Sequence, residues 1–518
     1  MDVETRKTPE PAAVDKNIVA AKKDNSPLFG VPGSTWPVVH LLLIGFAVLV
    51  TYFGIWRAYF WTDDFWMLGW VRHQPSLADA VWAQFGYAVR FLLDAHLWLR
   101  MYLFEMDPAP YYMLGVGQHV LVGFLVYLLI RTATSRNGLA LLAAILFATT
   151  YAHFTVVTWI TGSEYSQAAL FHLATLGAFA AYLETRRTGW LMASLTAFVA
   201  LLLYCEVALS VPLVLIAYHL TLGRAGRPLR TLQAGEFLVH VPYLALFAVY
   251  LAVQTAFVFS GSSEARVAAV GYGPGWHMVS NLYYLAYLVV PPALPDELIR
   301  TWIGQWALDA ASQGTLALAI VGNIGLAVLF WRGTPLVRFA VAFIYLTFLP
   351  YLFWEGAFAG ALRYRYLPSM AFAGLVAMGV VRLHERLARR PVARGIVVAL
   401  VALQLALNVA VVQTWVSRHV RHSDVRRAAV ETLLARYPNP EPGSHIVFQV
   451  PNDRFRDLAD ACTLVYAAPM RCEAVVVPPG SAAGRLARDE HAILLQVSAS
   501  ASVRVGGSEM PTDRVELP

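Results

Sequence analysis

The sequence predicts an all-α polytopic membrane protein of about eleven transmembrane helices, followed by a small C-terminal α/β region outside the membrane. Three observations predict it. Hydrophobic residues make up 58% of the 518 and charged residues only 14%, where a soluble chain carries roughly a quarter charged. Apolar stretches recur along the chain, each long enough or nearly so to cross ~30 Å of hydrocarbon as a helix. Basic residues crowd into alternate connections between those stretches, as orientation in a membrane requires.

The elements follow in order. Residues 1–35 are polar, hold Pro, Asp and Lys, and read as a disordered cytoplasmic tail with no cleavable signal. Apolar crossings are expected near 36–56, 109–131, 138–158, 164–184, 189–205, 207–222, 237–258, 314–332, 335–354, 366–384 and 394–414. The fifth and sixth of these are short and nearly continuous. With the N-terminus inside, the inner segments carry 19 basic residues and the outer loops before residue 415 carry eight. Eleven crossings then leave the C-terminus outside. The net charge of +6 is therefore a topology signal and not the footprint of a nucleic-acid partner.

Two outer loops are long. Residues 57–108 hold SLADAVWAQFGYAVRFLLDAHLWLRMYLF, which reads as one or two amphipathic interfacial helices. Residues 259–313 open on a glycine-rich stretch and continue as an apolar segment stopped by Pro291 and Pro292, read as an interfacial or re-entrant helix. The inner loops are short, so the outer face is where work is expected. Residues 415–518 form a different region. VSRHVRHSDVRRAAVETLLARYP reads as an amphipathic helix leaving the membrane, and HIVFQVP, LVYAAP, EAVVVPP and AILLQVSAS read as short strands. Cys462 and Cys472 fall there, and a disulfide and two free thiols are both open.

Candidate chemistry sits on the outer face. WTDDFWML puts Asp63 and Asp64 among aromatics just past the first crossing. Adjacent side chains diverge by about 100° on a helix, so the two cannot aim at one atom. One carboxylate suits a reacting centre and the other a metal, an arginine or a helix N-terminus; both also suit the capping of the following helix. Partial desolvation at a membrane edge raises a carboxyl pKa and favours a base. Glu164, Glu206 and Glu355 lie at the outer ends of crossings, where ionisable groups are costly and functional by default. Glu206 also suits a local cap, and Arg363 alone a lipid phosphate. Arg363 and Arg365 together, each flanked by tyrosine, suit a phosphate or pyrophosphate at the bilayer surface. His96, His119 and His153 have no metal-ligand spacing and read as hydrogen-bonding residues.

Three stretches together resemble one family. TDDF (62–65), CEVALSVP (205–212) and RYRYLPS (363–369) resemble, in order and placement, the motifs of the GT-C glycosyltransferases, in particular their protein O-mannosyltransferase-like branch. Cys205 stands where the family motif has lysine, Leu362 stands where it has a glutamate before the arginine, and tetratricopeptide repeats are absent. The resemblance implies a sugar donor on polyprenyl phosphate and an acceptor hydroxyl on a glycan, lipid or protein. It implies that Asp63 is the base and that Arg363, helped by Arg365, steadies the leaving phosphate. Asp64 would orient the acceptor or a divalent cation (Mg or Mn). Three other readings stand beside it: a lipid-linked-sugar flippase or transporter, a surface-polysaccharide polymerase or ligase, and a non-enzymatic scaffold that presents the C-terminal region.

Overall fold

The computed structural model describes residues 36–83, 90–224, 233–258, 275, 277–289, 305–353, 362–467, 470–476, 493–497, 503–506 and 513–515. The N-terminal tail lies outside the described residues, as does most of the second long loop.

Helix α1 (Trp36–Thr51) is followed by α2 (Asp63–Arg72), and the stretch at 76–104 expected to hold one or two helices holds two, α3 (Leu77–Ala83) and α4 (Phe91–Phe104). Helix α5 (Pro108–Thr134) begins on Asp107, whose carboxylate accepts the Ala109 N–H at 3.0 Å, with Pro108 in the first turn where no N–H is needed. Helices α6 (Asn137–Thr149) and α7 (Phe154–Thr158) form one bent unit: the segments Asn137–Thr149 and Tyr151–Thr158 meet at 53°. Helices α8 (Glu164–Thr185) and α9 (Thr188–Leu202) pack together. The chain then breaks at 203–205 before a 3-10 turn (Glu206–Ser210) and α10 (Val211–Tyr218). Helix α11 (Val241–Val258) is followed by α12 (His277–Asn281) and a 3-10 turn (Leu282–Leu288), then α13 (Gln305–Arg332) and α14 (Pro335–Leu352). A 3-10 turn (Leu362–Arg365) leads into α15 (Tyr366–Arg386).

Helix α16 (Pro391–Arg436) corrects an expectation. The eleventh crossing and the amphipathic segment after it form a single 46-residue helix. No proline interrupts it between Pro391 and Pro438, so nothing in the backbone ends the helix where the residues turn polar.

Among the described residues, eight helical segments are long and apolar enough to cross a membrane, joined by the bent unit and two shorter apolar helices. Their outward faces are apolar: Val38, Leu42, Phe46 and Leu49 on α1, and Leu316, Ile320, Ile324 and Val328 on α13, are exposed at helical spacing. Only 6% of the apolar stretch of α13 is buried against the protein, against 44% for α5. Hydrocarbon is the solvent that such a surface suits.

Past α16, strands β1 (His445–Val450), β2 (Arg471–Val476), β3 (Ile493–Val497), β4 (Val503–Gly506) and β5 (Asp513–Val515) form one sheet in the order β2-β1-β3-β4-β5. β1 runs parallel to β2 and β3, with Ile446 opposite Cys472 and Ile493. β3–β4 and β4–β5 are antiparallel. Of the LVYAAP stretch, expected as a strand, Leu464 and Val465 end helix α17 (Ala461–Val465), Tyr466 and Ala467 are neither helix nor strand, and the last two residues lie outside the described residues. Cys462 on α17 and Cys472 on β2 form a disulfide.

Candidate functional site

The chain enters α2 through Thr62, at φ 49° and ψ −130°. For a β-branched residue this is a strained conformation, costing about 1–3 kcal/mol. The helix begins at once with the acidic pair, where negative charge suits the helix dipole. The helical divergence splits the two. Asp63 is exposed and Asp64 is 0% exposed. Asp64 accepts the Thr161 N–H on Oδ1 at 2.9 Å and the Trp61 N–H on Oδ2 at 3.3 Å. Burial pushes its carboxyl up to about 7, against the pull of those N–H donors. Asp64 was expected to orient an acceptor or a cation. The structure turns it inward, where it ties α2 to the turn before α8. Asp63 keeps the outward position, and its charge reaches both Glu164 and Asp460.

Glu164 opens α8 and Glu206 opens the turn after Cys205. Arg90, just ahead of α4, joins them: Nη1 donates to Glu164 Oε2 at 3.2 Å and Nη2 to Glu206 Oε2 at 2.5 Å. The Tyr165 hydroxyl donates to Glu206 Oε1 at 3.5 Å. Arg363 completes the group. Its guanidinium lies 5.1 Å from the Trp159 ring and 4.8 Å from the Tyr364 ring, and donates to the Tyr364 hydroxyl at 3.1 Å. Tyr364 in turn stacks on Tyr351 with centroids 4.0 Å apart. The charge of Arg363 acts on both glutamates.

Arg365 faces the other way. It is 0% exposed, donates to the Tyr284 carbonyl at 3.4 Å and lies 5.1 Å from the Tyr287 ring. The two arginines expected to share a phosphate thus divide, with Arg363 toward the acidic group and Arg365 bracing the Leu282–Leu288 turn. Glu355 lies outside the described residues.

Two site residues were not singled out from the sequence. Arg90 reaches partners 74 and 116 residues away, a separation no local pattern reports. Asp94, one helical turn on from Arg90, is 1% exposed, and neither carboxylate oxygen has a hydrogen-bond partner among the described residues. Burial raises its carboxyl to about 7, opposed by Arg90 and supported by Glu164. The signal for both was an Arg-x-x-x-Asp pair within the apolar stretch of helical spacing at 76–104.

His119 and His153 meet with ring centroids 5.1 Å apart, bonded to the Tyr366 and Ser369 hydroxyls. His96 bonds the Tyr204 hydroxyl at 2.6 Å. Among the described residues no three His, Cys, Asp or Glu stand where they could hold a metal ion. With Asp64 turned inward, the residues described do not fit a divalent cation at the acidic pair. A cavity of about 500 Å³ lies at the far end of α5, lined by Ile130, Thr134, Glu184 and Phe343 among others, and is separate from the charged group.

No protein-family model and no curated protein matches this chain. Among solved structures it is similar to the apo form of an Archaeoglobus fulgidus oligosaccharyltransferase, at 12% identity and a TM-score of 0.49, over 85% of this chain. The match spans 65% of that protein's length. At this identity and score nothing about chemistry is carried across.

Proposed function

We propose that the chain is an inverting glycosyltransferase of GT-C type, moving a sugar from a polyprenyl-phosphate donor to an acceptor hydroxyl at the outer face of a plasma membrane. One observation carries the reading. TDDF, CEVALSVP and RYRYLPS are far apart in sequence, yet Glu164 and Glu206 share Arg90, and the charges of Asp63 and Arg363 both act on Glu164. In this reading the exposed Asp63 carboxylate takes the proton of the acceptor hydroxyl. The acceptor oxygen then forms a bond to the anomeric carbon as the bond from that carbon to the lipid phosphate breaks. The phosphate leaves with the electron pair, and Arg363 stabilises the charge that develops on it. Arg90 pairs with both Glu164 and Glu206, and the three set the field around Arg363. Arg365 positions the turn behind it.

The reading takes the eight long segments, the bent unit and the two shorter apolar helices as eleven crossings, with the N-terminus inside and the sheet outside, where a disulfide is stable. A flippase is less well supported, because transporters place ionisable groups near the bilayer midplane between two matching halves. The charges here lie at one end of the helices.

The test is turnover in nanodiscs with a panel of polyprenyl-phosphate sugars and hydroxyl acceptors, reading release of lipid phosphate. One donor is expected to be cleaved, and Arg363→Gln to slow that release by about 10²–10³-fold, the scale of one lost charge-stabilising donor. Wild-type turnover by Arg363→Gln would remove its assigned role. Movement of the lipid-linked sugar across the bilayer without cleavage would favour the flippase.

A further inference from the structure

The turn that launches α2 is held from the other end of the chain. The Asp64 N–H donates to the Trp61 carbonyl at 3.1 Å, which closes a tight turn over Thr62 and Asp63. Thr62 sits at its first central position with the positive φ that glycine normally supplies. The Thr62 hydroxyl is buried and has no hydrogen-bond partner among the described residues, so the side chain does not secure the turn. The backbone does. The Thr62 N–H donates to Asp457 Oδ2 at 2.7 Å, across 395 residues. The same oxygen accepts Arg426 Nε at 2.7 Å. Arg426, on α16 and only 4% exposed, also donates to the Arg454 carbonyl at 2.6 Å and lies 5.2 Å from the Phe455 ring. A carboxylate fixed by a buried arginine is a rigid acceptor, and its bond to a backbone N–H is charge-assisted.

We propose that Asp457, locked by Arg426, is a positioning residue: it holds Thr62 in its strained turn and thereby aims Asp63 at the acceptor hydroxyl. This rests on the reading of Asp63 as the base. Asp63 follows Thr62 directly, so a relaxation of Thr62 to an ordinary extended φ swings the Asp63 side chain away. The far end of α2 is docked independently, with Arg72 donating to the Leu464 carbonyl at 2.7 Å and His73 bonding the Thr463 carbonyl at 3.0 Å. Loss of Asp457 therefore releases the Thr62 N–H at the turn and leaves the helix itself seated, with Asp64 still tied to Thr161.

Two measurements on the full chain in nanodiscs test this. In Asp457→Ala, amide hydrogen exchange over residues 58–68 is expected to speed up by about tenfold or more, the scale of one charge-assisted hydrogen bond, with exchange over the docked end of α2 unchanged. Release of lipid phosphate is expected to lose about a hundredfold in kcat with the donor KM held, the pattern of a misaimed catalytic group. Thr62→Gly accepts the turn without being held, so adding it to Asp457→Ala restores most of the lost kcat. Asp457→Asn, which keeps an acceptor oxygen, loses less than Asp457→Ala. Unchanged exchange over 58–68 would overturn the proposal, as would a kcat loss that Thr62→Gly fails to rescue. Absence of turnover by the wild type with every donor would overturn the transferase reading and the catalytic half of this one. The exchange result decides the turn itself in either case.

Discussion

Asp64 and Asp94 are carboxyls withdrawn from water, and burial raises both to about 7. The sign of the consequence follows from linkage. An unfolded chain loses these protons near the ordinary value of 3.8, while the folded chain keeps them up to about 7. Across that window the native state holds more protons than the unfolded one, so stability is greatest at the acid end and falls as pH rises. The groups facing Asp94 are Arg90, which opposes its protonation, and Glu164, which favours it. Asp94→Asn removes one contributor, so its unfolding midpoint should fall less between pH 5 and pH 8 than that of the wild type. Thermal unfolding in detergent reads this directly, and an identical fall in both proteins would contradict the burial account. Asp64→Asn is not equivalent, because an amide cannot repeat the acceptance of two backbone N–H groups without presenting one of its own donors to them.

Helix α2 lies against α17 at very short range. A Cβ on Gly69 would stand 2.5 Å from the Thr463 carbonyl carbon and 2.6 Å from the Leu464 nitrogen. Those are backbone atoms within a helix, so they cannot swing aside. Gly69→Ala is expected to push α17 off α2 and to cost about 1–3 kcal/mol, the range for overpacking. A melting midpoint equal to that of the wild type would show that the contact yields freely. The disulfide joins α17 to β2, so the sheet shares in holding the acidic helix. At this scale the helical spans were legible, because apolar runs between basic connections have few alternative readings in a membrane. The errors fell where the backbone ignores a change of polarity. Residues 415–436 looked like a new element because Arg418, Arg421 and Arg426 replace apolar residues, yet helix hydrogen bonding needs no apolar face and the helix runs on. LVYAAP carries β-branched and aromatic residues, but its first part is drawn into α17 by packing against α2, which outweighs a weak local preference.

Over the whole molecule, the site is an assembly of segments that have little to do with one another in sequence. Arg90 joins α4 to the starts of α8 and the Glu206 turn, Asp64 ties α2 to the Thr161 turn, and Asp457 reaches back from the C-terminal region. Asp63, Glu164, Glu206 and Arg363 stand out in the sequence because each is a charge at the end of an apolar run, a position that costs free energy unless it has a use. The inward turn of Asp64, the division between Arg363 and Arg365, and the bridging by Arg90 do not. Each depends on a contact across 74 or more residues, which a single sequence does not encode locally.

In the proposed mechanism one exposed carboxylate, Asp63, is the base. The most direct test is single-turnover release of lipid phosphate by Asp63→Asn in nanodiscs, with the donor that the wild type cleaves and its acceptor. The expected result is a loss of about 10²–10⁴ in rate, the usual contribution of a general base, with donor affinity unchanged. Release at the wild-type rate would contradict the assignment and remove Asp63 from the chemistry.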